Sequence, residues 1–416
     1  MLDHRRDARQ AGQVTTPRSD VVVIGGGIVG TAAAAFLAEA GARVTLFERE
    51  GLASGASGAN SGVIQHPFDP ILAGLYHETI ALYRDLAAAE SGFRLRKEPT
   101  GLLYASADEA AVGHVDRALA EAFPELDREV VTGAALERLE PALAPGLLAC
   151  RVGMGFPVHP GASTYAYATL AERRGASVRL GRSAELDRRG DGVAGVLVDG
   201  QPSACDAVLV AAGPWSPELI DPTGRWAPIH RRWGVVVEAR LANGPTHVLE
   251  EAEIGAVIGA QPAVAEVTGA VGPDNHDRDL VDFSLVPGPG VDSVGSTFLV
   301  REPDPAAWVE RILTRAATFV PAVADAPIRG TRSCARPQSI DGRPLVGRVP
   351  GVRGLFLCSG HGAWGISTGP ASARLIVDEI LGREPAIPSE LDPARFEHVL
   401  GPATHRSRPT GVRDHR

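Results

Sequence analysis

The chain opens its ordered part on DVVVI (20–24), an unbroken apolar run of the kind that forms a strand buried on both faces. GGGIVG follows at once. TAAAAFLAEA then continues at helical length and stops at Gly41, a natural C-cap. A second apolar run, ARVTLF (42–47), ends in Glu48, so strand, glycine turn, helix and strand make one βαβ unit. Helical periodicity predicts helices over residues 70–89 and 108–123. A third opens at His159-Pro160 and ends at Arg174, before Gly175. Short strands are expected at 177–180, 192–198 and 207–211. Residues 229–300 are rich in β-branched positions without a helical period, which predicts an antiparallel sheet, followed by a helix over 304–319. GLFLCSGHGAWGISTGPASARLIVDEIL (354–381) reads as strand, glycine loop and helix.

This pattern predicts an α/β protein: a discontinuous Rossmann-like nucleotide-binding domain with an inserted β-rich antiparallel substrate domain. The expected division gives residues 20–95, 152–225 and 327–390 to the first and 96–151 and 226–326 to the second. Residues 1–19 and 402–416 are expected to be disordered tails, since they are polar and lack an apolar core. The first twenty residues carry no secretory signal, which points to a cytoplasmic protein. No run of 18 or more apolar residues spans a bilayer.

Composition narrows the function. A net charge of −9 disfavours a nucleic-acid partner. Four cysteines, none in a CxxC pair, exclude a disulfide scaffold and argue against zinc; without HExxH or DxDxDG loops, no metal is expected. Among 41 basic residues Lys97 is the only lysine, so lysine is excluded from nearly every mechanistic role.

Gly25, Gly27 and Gly30 spell G-x-G-x-x-G between a strand and a helix. The first suits a tight turn, the second lets backbone approach a pyrophosphate, and the third allows close helix–strand packing. The helix start at Ile28 and Val29 then faces the phosphates with unpaired N–H groups. Glu48, eighteen residues beyond Gly30 and followed by Arg49, can accept from ribose hydroxyls and disfavours a 2′-phosphate. The fingerprint alone does not separate NAD from FAD. The small-residue loop GLASGASGANSG (51–62), with Ser57, Asn60 and Ser61, and VLVAAGPW (208–215), with Ala212, Gly213 and Trp215, can flank a second, extended part of the nucleotide; Val178 is expected beside it.

Together with the C-terminal segment, these residues resemble the D-amino acid oxidase, glycine oxidase and sarcosine oxidase superfamily of FAD-dependent enzymes. The resemblance covers residues 20 to about 60, the GASTYAYATLAERRGASV and AAGPWS segments, and 332–381. It implies FAD across the βαβ unit, with its ring system between the two layers. The implied activity is oxidation of the C–N bond of a small amino acid, N-alkyl amino acid or related amine, by hydride transfer to flavin N5. The resulting imine hydrolyses. Arg336, in ARPQSIDG, matches the arginine that grips the substrate carboxylate in glycine and D-amino acid oxidases, a role suited to a guanidinium fork. Cys334 matches the cysteine that carries covalent FAD in monomeric sarcosine oxidases; its bland alternative is a buried thiol filling space.

Gly360, His361, Gly362, Gly365 and Ile366 match the family loop around the flavin pyrimidine end. Trp364 is a pocket wall or a core residue, and His66 either tunes the reacting groups or caps a turn. The electron acceptor is oxygen or another species. Sarcosine oxidases place a lysine near the flavin for oxygen, and this chain has none in the matching segment. A dehydrogenase subunit passing electrons to a partner is therefore the alternative; an oxidase of modified tRNA bases and a non-catalytic NAD-binding module are the more distant ones.

Overall fold

In a computed structural model of the chain, residues 19–90, 92–252, 280–383 and 387–399 are described. The expected tails, save residue 19, and the middle of the predicted 229–300 sheet lie outside them.

The first sheet has six strands in the order Leu345–Arg348, Leu355–Ser359, Ala207–Val210, Asp20–Ile24, Arg43–Glu48, Ser177–Leu180. All pairs are parallel except the first, which is antiparallel. Asp20–Ile24 is central and almost fully buried, as its apolar run predicts. The following helix, Ile28–Glu39, is buried from Ile28 to Ala38. Its run of alanines lets the helices Ala162–Arg173 and Gly365–Ile380 pack directly against it. The helix Pro70–Ala89 has the predicted bounds, set by Asp69, whose carboxylate accepts from Ile71 N (2.8 Å) and Leu72 N (3.1 Å) with proline at the first helical position.

The second sheet has eight strands, in the order Ile328–Ser339, Ile229–Ala239, Asp292–Phe298, Leu280–Val286, Val248–Glu251, Leu102–Ser106, Leu148–Val152, Arg128–Thr132. It is antiparallel apart from the pairing of Val248–Glu251 with Leu102–Ser106. Residues 328–339, grouped with the nucleotide domain on sequence, form an edge strand of this sheet. They pair in long register with Ile229–Ala239, an extended contact that outweighs their proximity in sequence to the glycine loop. The helix expected over 304–319 is a 3₁₀ turn at Pro305–Trp308 followed by Val309–Ala317. A small three-stranded meander (Ala184–Arg189, Gly192–Val198, Gln201–Ala204) completes the described sheets, with a two-stranded pair formed by Val63–Ile64 and Phe156–Pro157. Among the described residues no helix is long and apolar enough to cross a membrane.

A buried hydrogen bond ties the C-terminal helix to the helix Pro70–Ala89. Pro370 lies inside Gly365–Ile380 and has no N–H for the carbonyl four residues earlier, that of Ile366. The hydroxyl of Tyr83, fully buried, donates to that carbonyl at 2.7 Å instead. Tyr83→Phe should therefore leave a buried acceptor unpaired and lower unfolding free energy by about 1–3 kcal/mol in urea denaturation. Adding Pro370→Ala, which returns the missing N–H, should recover part of that loss.

Candidate active site

A continuous cavity of about 1200 Å³ runs from the glycine turn to the second sheet. At the nucleotide end the backbone leaves no room for side chains. A Cβ on Gly25, which has φ +120°, would meet the Ala211 carbonyl oxygen at 2.4 Å, and one on Gly30 would meet the Gly25 oxygen at 2.0 Å. Gly30 does not line the cavity; its task is this close packing. Gly25, Gly27, Ile28 and Val29 do line it, at the start of the helix. Glu48 lines it as well, with Oε2 accepting from Gly26 N at 2.7 Å and Oε1 from Glu50 N at 2.8 Å. A carboxylate has lone pairs left for a ribose after those two bonds. Ser57 Oγ accepts from Ile28 N at 2.9 Å, taking one of the helix's orphan N–H groups. A Cβ on Gly27 would approach that oxygen to 3.0 Å, so the cradle has room for backbone-level approach by a ligand and little else.

The loop after Glu48 contains one short helix, Ala56–Ala59, closed by Asn60. Its Nδ2 donates to Ser57 O (2.8 Å) and Ala56 O (3.1 Å), and its Oδ1 accepts from Gly62 N (2.8 Å). Asn60 and Ser61 face the cavity, as do Ala212, Gly213 and Trp215. The Arg49 guanidinium lies 4.3 Å from the Trp215 ring centroid, a cation–π contact over the same end of the cavity. Ser359 Oγ donates to Gly213 O at 2.9 Å and joins this turn to the C-terminal glycine loop.

The opposite end is built from strands. Arg336 lines the cavity with NH1 donating to Thr297 O at 2.8 Å and NH2 to Ser296 Oγ at 2.7 Å. Its guanidinium carbon lies 4.4 Å from the Phe298 centroid. Gly234 is opposite; a Cβ there would strike the guanidinium at 2.6 Å. Burial pulls the Arg336 pKa down, opposed by Cys334 and Asp282, yet among the described residues no carboxylate forms an ion pair with it. Cys334 also lines the cavity; burial pushes its thiol up, against the influence of Arg336 and Arg332.

His361, Gly362, Trp364, Gly365 and Ile366 line the wall between the two ends. His361 is 2% exposed, its Nε2 has no partner among the described residues, and burial lowers its pKa to about 4, so the ring is neutral. Gly360, at φ +88°, turns the chain into this loop without lining the cavity. Trp364 is both wall and core, edge-on to Phe68 at 6.4 Å.

Two expected site residues lie elsewhere. Val178 is in the strand Ser177–Leu180, the outer neighbour of Arg43–Glu48, so that strand stands between it and the cavity; Val178 lines a separate shallow depression with Phe47. His66 points away because side chains alternate after the Val63–Ile64 strand: Gln65 faces the cavity and His66 the far side. There its ring packs edge-on against Phe123 (4.7 Å), Tyr76 (5.1 Å) and His77 (5.3 Å). Glu250, Ser284, Ser296 and Phe298 line the substrate end without having been singled out from sequence. The signal for Glu250 was present: adjacent glutamates ending an apolar strand, HVLEE, must turn to opposite faces.

A glycine-turn nucleotide cradle that opens onto a strand-built chamber with a half-buried, cavity-facing guanidinium defines a dinucleotide-dependent enzyme with an enclosed reaction site. The chain belongs to the FAD dependent oxidoreductase (DAO) family, whose model it matches over residues 20–379. It is 29% identical over 395 residues to a glycine oxidase of Pseudomonas aeruginosa, covering 90% of this chain and 97% of that protein. A second glycine oxidase, from Geobacillus kaustophilus, is 29% identical over 398 residues, covering 93% and 98%. The solved structure of a glycine oxidase from Bacillus cereus superposes with a TM-score of 0.73 at 25% identity, covering 88% and 96%. The protein is thus an FAD-dependent oxidoreductase of the glycine and amino acid oxidase type, acting on a small molecule and passing electrons to an acceptor.

The burial of His66 makes stability depend on pH. Burial, reinforced by His77, lowers its pKa from 6.5 to about 4. The unfolded chain then binds a proton that the folded protein refuses, so this residue costs stability progressively as pH falls from about 6.5 to about 4. His66→Phe, which keeps the edge-on packing, should show a shallower loss of stability over that window in urea denaturation at pH 7 and pH 5.

Proposed function

We propose that the protein oxidises the C–N bond of a small α-amino or N-alkyl amino acid, held in the chamber by its carboxylate on Arg336. The observation that carries this reading is the guanidinium itself: half-buried, fixed by Thr297 and Ser296, stacked on Phe298, facing the cavity, and in no ion pair with a carboxylate among the described residues. A substrate carboxylate supplies the missing anion through charge-assisted, bidentate hydrogen bonds.

The cradle at Gly25 and Gly27, the helix start at Ile28 and Val29, Glu48 and Ser57 fit the nucleotide portion of FAD. Asn60, Ser61, Ala212, Gly213, Trp215, His361, Gly362, Gly365 and Ile366 fit its remainder. When bound, FAD supplies the hydride acceptor. The chain's residues do the rest. Arg336 orients the substrate so that its α-C–H faces the cofactor side of the cavity. The uncharged His361 leaves no positive charge competing for the carboxylate. The start of the Gly365–Ile380 helix lies at the cavity wall, where the positive end of its dipole favours negative charge. The substrate amine must be neutral at transfer, so activity rises with pH across its pKa in the complex.

Cys334 supports a non-covalent FAD. Attachment through sulfur needs the thiolate, and burial holds this thiol protonated. The domain division follows the two sheets, with 328–339 belonging to the substrate domain. A second reading for the acceptor rests on Lys97: the chain's only lysine is exposed and outside the cavity, which favours a partner or carrier over oxygen.

Anaerobic mixing of the holoenzyme with an amino acid should bleach the flavin absorption, whatever the natural acceptor. Arg336→Gln should slow this by roughly 10²-fold in kcat/KM while keeping its FAD, as expected for losing hydrogen bonds to a charged group. No bleaching by any amino or N-alkyl amino acid would sink the reading. Acid precipitation should leave the yellow colour in the supernatant; a yellow pellet would establish the Cys334 link instead.

A further inference from the structure

The strand Val248–Glu251 carries two adjacent buried glutamates with different fates. Glu251 turns to one face, where its Oε2 is 2.7 Å from Arg315 NH2. Glu250 turns to the other face and lines the cavity, 7% exposed. It faces the Gln65 side chain and the Tyr104 hydroxyl, both neutral, and among the described residues no arginine or lysine pairs with it. A buried, cavity-facing carboxyl with no described arginine or lysine against it is the mirror image of Arg336, a half-buried, cavity-facing cation in no ion pair with a described carboxylate, Asp282 acting on it only at longer range.

Their spacing follows from the sheet. Arg336 reaches across to Ser296 on Asp292–Phe298. Leu280–Val286 is the next strand and Val248–Glu251 the one after, with Glu250 opposite Ser284. Two strand spacings are roughly 10 Å, and both side chains reach into the space between. A substrate held by its α-carboxylate on Arg336 keeps its α-amine close to that group, so Glu250 stands where a side-chain substituent ends.

We propose that Glu250 receives a second, cationic group of the substrate, making the chamber selective for amino acids whose side chain ends in an amine or guanidine. This rests on the reading of Arg336 as the carboxylate anchor. The groups facing Glu250 are Tyr104 from one neighbouring strand and Asp282 from the other. Burial pushes Glu250 up to about 7 and Asp282 up to about 6. Glu250 is therefore charged mainly above neutrality, and preference for a cationic ligand should strengthen as pH rises through about 7.

Non-reacting ligands test this without requiring turnover. Valerate carries only the carboxylate; δ-aminovalerate adds a terminal ammonium at side-chain distance. Their affinities for the holoenzyme are read from the perturbed flavin spectrum, in wild type and in Glu250→Gln. The expected result is δ-aminovalerate bound at least about tenfold tighter than valerate at pH 8, with less preference at pH 6. In E250Q the ratio should collapse toward one. Valerate bound as tightly as δ-aminovalerate, or the same ratio in E250Q, overturns the inference and leaves the carboxylate anchor standing. Binding of neither ligand overturns the anchor and the inference together. In turnover, E250Q should lower kcat/KM for ornithine far more than for norvaline; an equal loss for both would mean that Glu250 serves the α-amine, and would also overturn the proposal.

Discussion

The site depends on one approach distance: how closely the first helix comes to the strand and turn before it. Side chains at Gly25 and Gly30 would collide with backbone oxygens at 2.4 and 2.0 Å, so this junction exists only without them. The contact aims the start of Ile28–Glu39 into the cavity and holds Gly26 N against Glu48. The alanines of the helix extend the same economy of volume, letting two further helices reach it. One of these, Gly365–Ile380, begins at the cavity wall. The position of that wall is thus inherited from the glycine turn some 340 residues earlier, a distance in sequence that packing closes.

The second sheet supplies what the turn cannot. Strands present side chains at fixed lateral intervals, and the cavity uses this regularity to place Arg336, Ser296, Ser284 and Glu250 along one surface. Arg336 is the most constrained of them. Two acceptors, an aromatic face and the absence of a side chain at Gly234 leave its guanidinium few alternative positions. Such preorganisation is what lets a charged group act in a dry site without reorganising during the reaction.

What sequence revealed follows the range of the interactions involved. The βαβ unit and the helix Pro70–Ala89 were legible because local signals, apolar runs, glycines and the Asp69 cap decide them. The strands Leu102–Ser106, Leu148–Val152 and Arg128–Thr132 were not anticipated. Leu102–Ser106 pairs with Val248–Glu251, far along the chain, and Arg128–Thr132 lies at an edge with largely solvent-facing residues. The edge strand Ile328–Ser339 was grouped with its neighbours in sequence for the same reason. His66 and Glu250 show a finer limit. Each depends on the parity of one residue within a strand or its extension, which an apolar pattern alone does not fix when polar residues stand side by side. Arg336 could be singled out because its surrounding segment, ARPQSIDG, resembles a known carboxylate grip, and the structure places it on the cavity; its fixing by Thr297 and Ser296 was not legible.

The cavity's two ends are made differently, and that difference bears on how such a protein changes over generations. At the glycine turn the determinants are absent side chains and backbone atoms, so a side chain at Gly25 or Gly30 breaks it. At the other end they are side chains standing on strands whose hydrogen-bonded ladder is indifferent to which residue occupies a cavity-facing position. Glu250, Ser284 and Ser296 occupy such cavity-facing positions, so the lining there can change without disturbing the cradle. Heritable variation in diet can therefore accumulate on one sheet while the redox machinery on the other is held fixed.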